Sequence, residues 1–205
     1  MYSIIAATIL ISTLHALIPS HWLPIIVLSK TYSWSRYRTL QVTLYMALAH
    51  ILSTILLGIL LSIVGYTLHS TYSTWFALIS PIFLFLLGCY FIYRHYTHHH
   101  FHFNDAEVSK EQSFSKIWKS LVVLMFLSPC LEIEGLFLLA GKQGYIFVVV
   151  IASIYSILSV VGMLLWVTIA QAGIRKLDWH RIEHNAGLIT GVVIIITGIL
   201  SYFFQ

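Results

Sequence analysis

The chain has 205 residues, 59% of them hydrophobic and only 9% charged, with a formal net charge of +4. A soluble domain carries roughly 25% charged residues, so this composition excludes an ordinary water-facing fold and makes the lipid bilayer the natural solvent. The length suits a single domain, 1–205, and the Lys and Arg fall in short loops between apolar runs, a pattern that orients membrane proteins and is not a nucleic-acid patch.

A bilayer span needs about 20 mostly apolar residues. That criterion predicts an all-α, polytopic membrane protein with six transmembrane helices, at 3–29, 39–66, 72–94, 116–140, 145–172 and 186–204. The first apolar stretch follows no basic region and precedes no small-residue cleavage site, so it is expected to be a retained span.

The first span contains Thr13-Leu-His15-Ala-Leu-Ile-Pro19-Ser20-His21-Trp-Leu-Pro24. Pro19 cannot donate to the carbonyl of His15, nor Pro24 to that of Ser20, which predicts a loosened helix between His15 and Pro24. Irregular backbone survives at membrane depth only where it packs in protein or lines a wet cavity. In a regular helix His15 and His21 would lie about 120° apart around the axis and about 9 Å apart along it, too far to chelate one ion. An unwound turn between them removes that objection, and neutral imidazole suits nickel, cobalt, zinc, copper and iron.

His50 lies mid-span in Ala47-Leu-Ala-His50-Ile-Leu-Ser53-Thr54 and is a third imidazole at similar depth. After the third span comes a His-rich loop, 95–115, with His95, His98, His99, His100 and His102 as a secondary metal-gathering group. The fourth span holds Ser128-Pro129-Cys130-Leu-Glu132-Ile-Glu134, which puts a thiol and two carboxylates beside another proline break. Glu132 and Glu134 are two residues apart and point to nearly opposite helix faces, so one of them is expected to face a shared site. The fifth span adds Ser153, Tyr155, Ser156 and Ser159, and His180 and His184 precede the sixth at a spacing that shares a helix face. Cys89 and Cys130 show no C-x-x-C spacing, and no structural disulfide is expected.

A lone intramembrane His or Ser usually hydrogen-bonds a neighbouring helix. Here His15, His21, His50, Cys130, Glu132 and Glu134 all fall near the middles of spans one, two and four, more costly groups at one depth than structural glue needs. They are the candidate metal ligands.

Loops 30–38, 94–119 and 173–185 hold Lys30, Arg36, Arg38, Arg94, Lys110, Lys116, Lys119, Arg175, Lys176 and Arg181, whereas the other side has only Lys142. The positive-inside rule then puts both termini outside the cytoplasm and the His-rich loop within it. Pro19 and Pro129 occupy spans one and four, and Ile-Leu-Ser recurs at 51–53 and 157–159. These matches suggest half-repeats, about 1–94 and 116–205, forming a 3+3 inverted repeat with Pro-broken helices one and four.

The stretch His15-Ala-Leu-Ile-Pro-Ser20-His21 resembles the signature of the nickel/cobalt transporter families, His, four residues, Asp and His within a transmembrane helix. Ser20 stands in the Asp position, which removes a hard, charged ligand. The His50 segment resembles the His those families carry on the next helix. Ser128-Pro129-Cys130 is similar to the Pro-Cys segment that opens the second half in the nickel/cobalt efflux and disulfide-relay branches of the lysine-exporter superfamily. The resemblance covers about a third of the chain. It implies two three-helix halves in a bacterial inner (plasma) membrane and transport of a divalent transition-metal cation: nickel, cobalt, zinc, manganese or iron. The metal is then substrate, no organic cofactor is expected, the partners are the bilayer and the cation, and a homo-oligomer is open.

Three other readings compete. His95-x-x-His98-His99 with His180-x-x-x-His184 suits a membrane di-iron oxidase of the lipid hydroxylase or desaturase type. Ser128-Pro129-Cys130 suits a thiol relay, which needs a second close thiol. A membrane accessory protein that binds a partner is the third.

Overall fold

The computed structural model describes residues 2–67, 70–97, 114–173 and 179–203. All regular structure among them is helical: α1 (Tyr2–Ala16), α2 (Pro19–Thr31), α3 (Arg36–Thr67), α4 (Ser70–Thr97), α5 (Phe114–Phe126), α6 (Leu131–Gln143), α7 (Tyr145–Gly173) and α8 (Trp179–Phe203). Among the described residues three stretches are long and apolar enough to cross a membrane, Ile4–Thr31, Arg36–Val64 and Tyr145–Ala172, and Gly187–Leu200 is a shorter apolar helix.

The first and fourth predicted spans are each two helices. α1 ends at Ala16, and Pro19 opens α2 as its first residue, the position where a missing N–H costs nothing. Ile18 N–H takes over the carbonyl of His15 at 3.0 Å, and Leu17 N–H that of Leu14 at 3.0 Å. The break is therefore confined to Leu17 and Ile18. The expectation of loosening as far as Pro24 is corrected, because α2 runs through Pro24 without interruption. The second break falls between α5 and α6, with Pro129 before the extended Cys130 that caps α6.

The helix ends sort into two levels. α3 and α6 run parallel, with Gly58 against the Phe137 ring and Gly141 against the Ser62 backbone. α4 and α8 run antiparallel and meet at Gly88 and Gly191. One end of the bundle thus holds the start of α1, the end of α3 and the start of α7. The other, basic end holds the start of α3, the end of α4 and the start of α5, with Arg36, Arg38, Arg94, Lys116 and Lys119.

Two buried apolar clusters fill these halves. The basic half packs Trp22, Leu23, Ile25, Ile26, Val42, Met46, Leu121, Met125, Met163 and Val167. The other half packs Ile4, Ala7, Ile11, Ile51, Ile133, Leu136, Phe137, Ala140, Ile151 and Tyr155. Outside them the surface is apolar too: Leu48, Leu52, Leu56 and Leu60 on α3 and Ile157, Val161 and Leu165 on α7 are all exposed. Water would not tolerate such continuous stripes, whereas lipid is their natural neighbour. Exposed Tyr37, Tyr93 and Tyr96 near the basic end, and Tyr66, Tyr145 and Tyr202 near the other, fit the aromatic girdles of membrane interfaces.

The α4–α8 crossing relies on glycine. A Cβ on Gly191 would stand 2.8 Å from the Gly88 carbonyl oxygen, and one on Gly88 would stand 2.7 Å from that of Gly191. Gly187 and Gly191 form a Gly-x-x-x-Gly seam of the kind that lets membrane helices approach closely. Gly191→Val is expected to destabilise the protein by about 1–3 kcal/mol through overpacking. A lowered melting temperature in detergent checks this, and unchanged melting would mean that the two backbones do not meet there.

Candidate metal centre

The site is assembled at the two helix breaks. α1 ends just after His15, and the turn at Leu17–Ile18 brings His21 back over it, so the two rings lie 4.4 Å apart between centroids. His50, from α3, completes the group at 5.4 Å from the His15 ring and 4.9 Å from that of His21. At about 1.5 Å per residue, His50 is about 20 Å from one end of α3 and about 25 Å from the other, which is mid-depth. His15 and His50 are buried, and His21 is half-buried.

One ligand atom from each of the three imidazoles lies within 4.8 Å of the others. The His15 and His50 Nε2 atoms are 3.2 Å apart. Two imidazole nitrogens on one tetrahedral ion, each at about 2.0–2.1 Å, stand about 3.3 Å apart, so this pair already has the bite of two metal ligands. His21 Nδ1 lies 3.4 Å from the Ser20 hydroxyl, and the Ile18 backbone adjoins the ring. Ser20 thus touches a candidate ligand and supplies no charge.

A second group shares His15 from its other nitrogen. Cys130 Sγ is 3.2 Å from His15 Nδ1 and donates to Glu132 Oε2 at 2.8 Å. The same carboxylate oxygen is 3.6 Å from His15 Nδ1. Ligand atoms of His15, Cys130 and Glu132 also lie within 4.8 Å of one another, close enough to hold an ion. The two nitrogens of an imidazole point in diverging directions, so one ion on Nε2 would not touch Cys130. The expectation of a single ligand set therefore resolves into an imidazole group on Nε2 and a thiol–carboxylate group on Nδ1. The second group has the form of the outer partners that fix a ligand's tautomer and raise its basicity.

Glu134 joins neither group. Two residues beyond Glu132 is about 200° around the helix, and the Glu134 carboxylate, though buried, has no hydrogen-bond partner for either oxygen among the described residues. His50 Nδ1 likewise lacks a well-aligned partner, although backbone acceptors at Met125 and Ser128, loosened by the second break, lie beside the ring. That placement directs Nδ1 to the break and Nε2 to His15.

Thr54 ties the site together and was not a sequence candidate. Its hydroxyl donates to the His50 carbonyl at 2.9 Å and accepts from the Cys130 N–H at 3.0 Å and the Tyr155 hydroxyl at 3.4 Å. One oxygen thereby links α3, α6 and α7. Its spacing of four from His50, which puts both on one helix face, was the available signal. Thr54→Val leaves the buried Cys130 N–H without its acceptor, and is expected to cost about 1–3 kcal/mol, with Thr54→Ser close to wild type. Thermal unfolding of both variants in detergent checks this. Equal melting for Val and Ser would remove Thr54 from the scaffold.

The remaining candidates are dispersed. Ser153 and Ser156 bond back to the carbonyls of Val149 and Ala152 and face a groove of about 460 Å³ between α3 and α7, away from the imidazoles. Ser159 is buried with Tyr155. Cys89 and Cys130 are both free thiols. His95 lies in the last turn of α4 against Tyr96, with Gly187 of α8 nearby. His98, His99, His100 and His102, and the side chains of His180 and His184, lie outside the described residues.

The class of molecule defined so far is an all-helical protein suited to a membrane, with buried His, Cys and Glu groups able to hold a metal ion. No protein-family model, curated protein or solved structure matches the chain.

Proposed function

We propose that the protein transports a divalent transition-metal cation across a membrane. The single observation that carries this reading is the convergence of His15, His21 and His50 at mid-depth, against two helix breaks and between two apolar clusters. A resident structural metal would not need unwound backbone at that depth, whereas a transported ion needs a site that can open to either side.

In this reading the chain has six spans in two inverted halves. The pairing of helices supports it. Exchanging the halves carries α1 to α5, α2 to α6, α3 to α7 and α4 to α8. Under that exchange the packing of α3 on α5 matches that of α7 on α1, and the α3–α7 and α4–α8 pairs map onto themselves. The breaks correspond as well, at Leu17-Ile-Pro19 and Leu127-Ser-Pro129.

The cation meets the half-buried His21 and passes to the Nε2 atoms of His15 and His50. Glu132 lowers the cost of holding positive charge in a low dielectric, acting through Cys130 and His15 Nδ1. The two apolar clusters are the gates. The cluster around Trp22, whose ring stacks on Trp166 at 5.7 Å, closes the basic side, and the cluster around Phe137 closes the other. Rocking of the halves opens one gate at a time. The basic end is cytoplasmic by the positive-inside rule. A His-rich loop there gathers cations for export, and nickel, cobalt and zinc are the first metals to test, followed by manganese and iron.

The test is flux into proteoliposomes loaded with a metal-sensitive dye. Saturable, protein-dependent entry of at least one of these cations, lost in His15→Ala/His50→Ala, is expected. Flux of none of them, or flux indifferent to both substitutions, would refute the reading.

A further inference from the structure

Apart from Met1, the chain has three methionines, Met46, Met125 and Met163. They come from α3, α5 and α7, yet all three are buried in the same cluster, the one on the basic side of the imidazoles. Met46 is one helical turn before His50 on the same face of α3. Met125 lies at the second break, where its backbone adjoins the His50 ring. Met163 follows Gly162, which abuts Ala16 beside His15.

Methionine often fills irregular core gaps. In this chain that work is done almost everywhere by Leu, Ile and Val. The opposite cluster is built from Ile, Ala, Leu and Phe around Cys130 and Tyr155 and contains no methionine. The thioethers are thus confined to one side of the site and to the layer next to it. Thioether sulfur is a neutral, soft donor that selects copper(I) over hard divalent ions.

We propose that Met46, Met125 and Met163 form a second, thioether station for a soft monovalent cation of the copper(I) class, adjoining the imidazole group on its basic side. The station rests on the transport reading only in being placed on the cation's path; as a binding site it stands on its own residues. Its side matters chemically. The basic end faces the cytoplasm under the positive-inside rule, and there copper is held in its reduced state by the thiol pool. Three neutral sulfurs compensate no charge, which suits a monovalent ion better than a divalent one in an apolar layer.

Silver(I) is the probe, being a redox-inert counterpart of copper(I), and zinc(II) reports the imidazole group. The full chain in detergent is titrated with each ion against a competing chelator. Met46→Leu/Met125→Leu/Met163→Leu preserves volume and apolarity, so folding is spared. Wild type is expected to bind a silver equivalent that the triple variant loses or binds at least tenfold more weakly, with zinc binding unchanged. X-ray absorption of the silver-loaded wild type should show a sulfur shell that the triple variant lacks. His15→Ala/His50→Ala should lose zinc and keep the methionine-dependent silver. If zinc survives in that variant while silver binding still depends on the methionines, the imidazole reading fails and the thioether station stands. Unchanged silver binding in the triple variant overturns the proposal and leaves the methionines as packing. Joint loss of silver and zinc in the triple variant also overturns it, by making the methionines a support for the imidazoles.

Discussion

Zinc affinity is expected to fall by at least about 100-fold in His15→Ala and in His50→Ala, and the double variant should be little worse than either single one. Loss of an outer partner alone typically costs 10–100-fold, and here an imidazole is lost from the ligand set itself. The 3.2 Å separation of the two Nε2 atoms makes them one chelating unit, and removing either breaks that bite and leaves the other with only the half-buried His21. Non-additivity is the informative part: residues that share one ion couple, whereas independent sites would give additive losses. His21→Ala should cost less, because His21 is half-buried and has Ser20 as its neighbour. Isothermal titration of the detergent-solubilised protein measures all four variants. Affinity losses that simply add would place His15 and His50 in separate environments.

Glu132→Gln is expected to weaken zinc binding by about 10–100-fold, whereas Glu134→Gln should change it by less than about threefold. Both carboxylates are buried, belong to one short helix and sit two residues apart, so residue type and depth are matched. Only geometry separates them. Glu132 accepts from the Cys130 thiol and lies 3.6 Å from His15 Nδ1, and Glu134 has no hydrogen-bond partner among the described residues. Glutamine keeps the size of Glu132 and can still accept one hydrogen bond, so the loss reports the charge that polarises His15. A Glu134→Gln effect as large as that of Glu132→Gln would mean that bulk negative charge, and not the His15 contact, sets the affinity. Cys130→Ser should fall between them, since a hydroxyl can replace the thiol as a bridge but is shorter.

Much of this was readable from residue order, and the limits have physical causes. Low charge and long apolar runs point to lipid before any coordinates, and the two prolines mark the broken spans because a missing N–H must interrupt a helical ladder. The extent of each break is not encoded so simply. Pro24 resembles Pro19 in the sequence, yet a helix begins at Pro19 and runs unbroken through Pro24. The approach of His15 and His21 depends on the dihedral angles of Leu17 and Ile18, which the residue names do not specify. The choice between Glu132 and Glu134 was foreseen as a choice, since opposite faces follow from helical periodicity, but its outcome depends on which face meets α1. Thr54 and the three methionines carry no local signal in the sequence, because their significance lies in long-range packing. A Thr four residues after a His is common, and Met46, Met125 and Met163 are far apart along the chain.

The most direct measurement is X-ray absorption at the zinc edge of stoichiometrically loaded protein. The expected first shell is imidazole nitrogen at about 2.0–2.1 Å, with the multiple-scattering pattern of at least two rings, diminished in His50→Ala. A zinc shell of oxygen alone, or one identical in wild type and His50→Ala, would contradict an ion held among the imidazoles at the helix breaks.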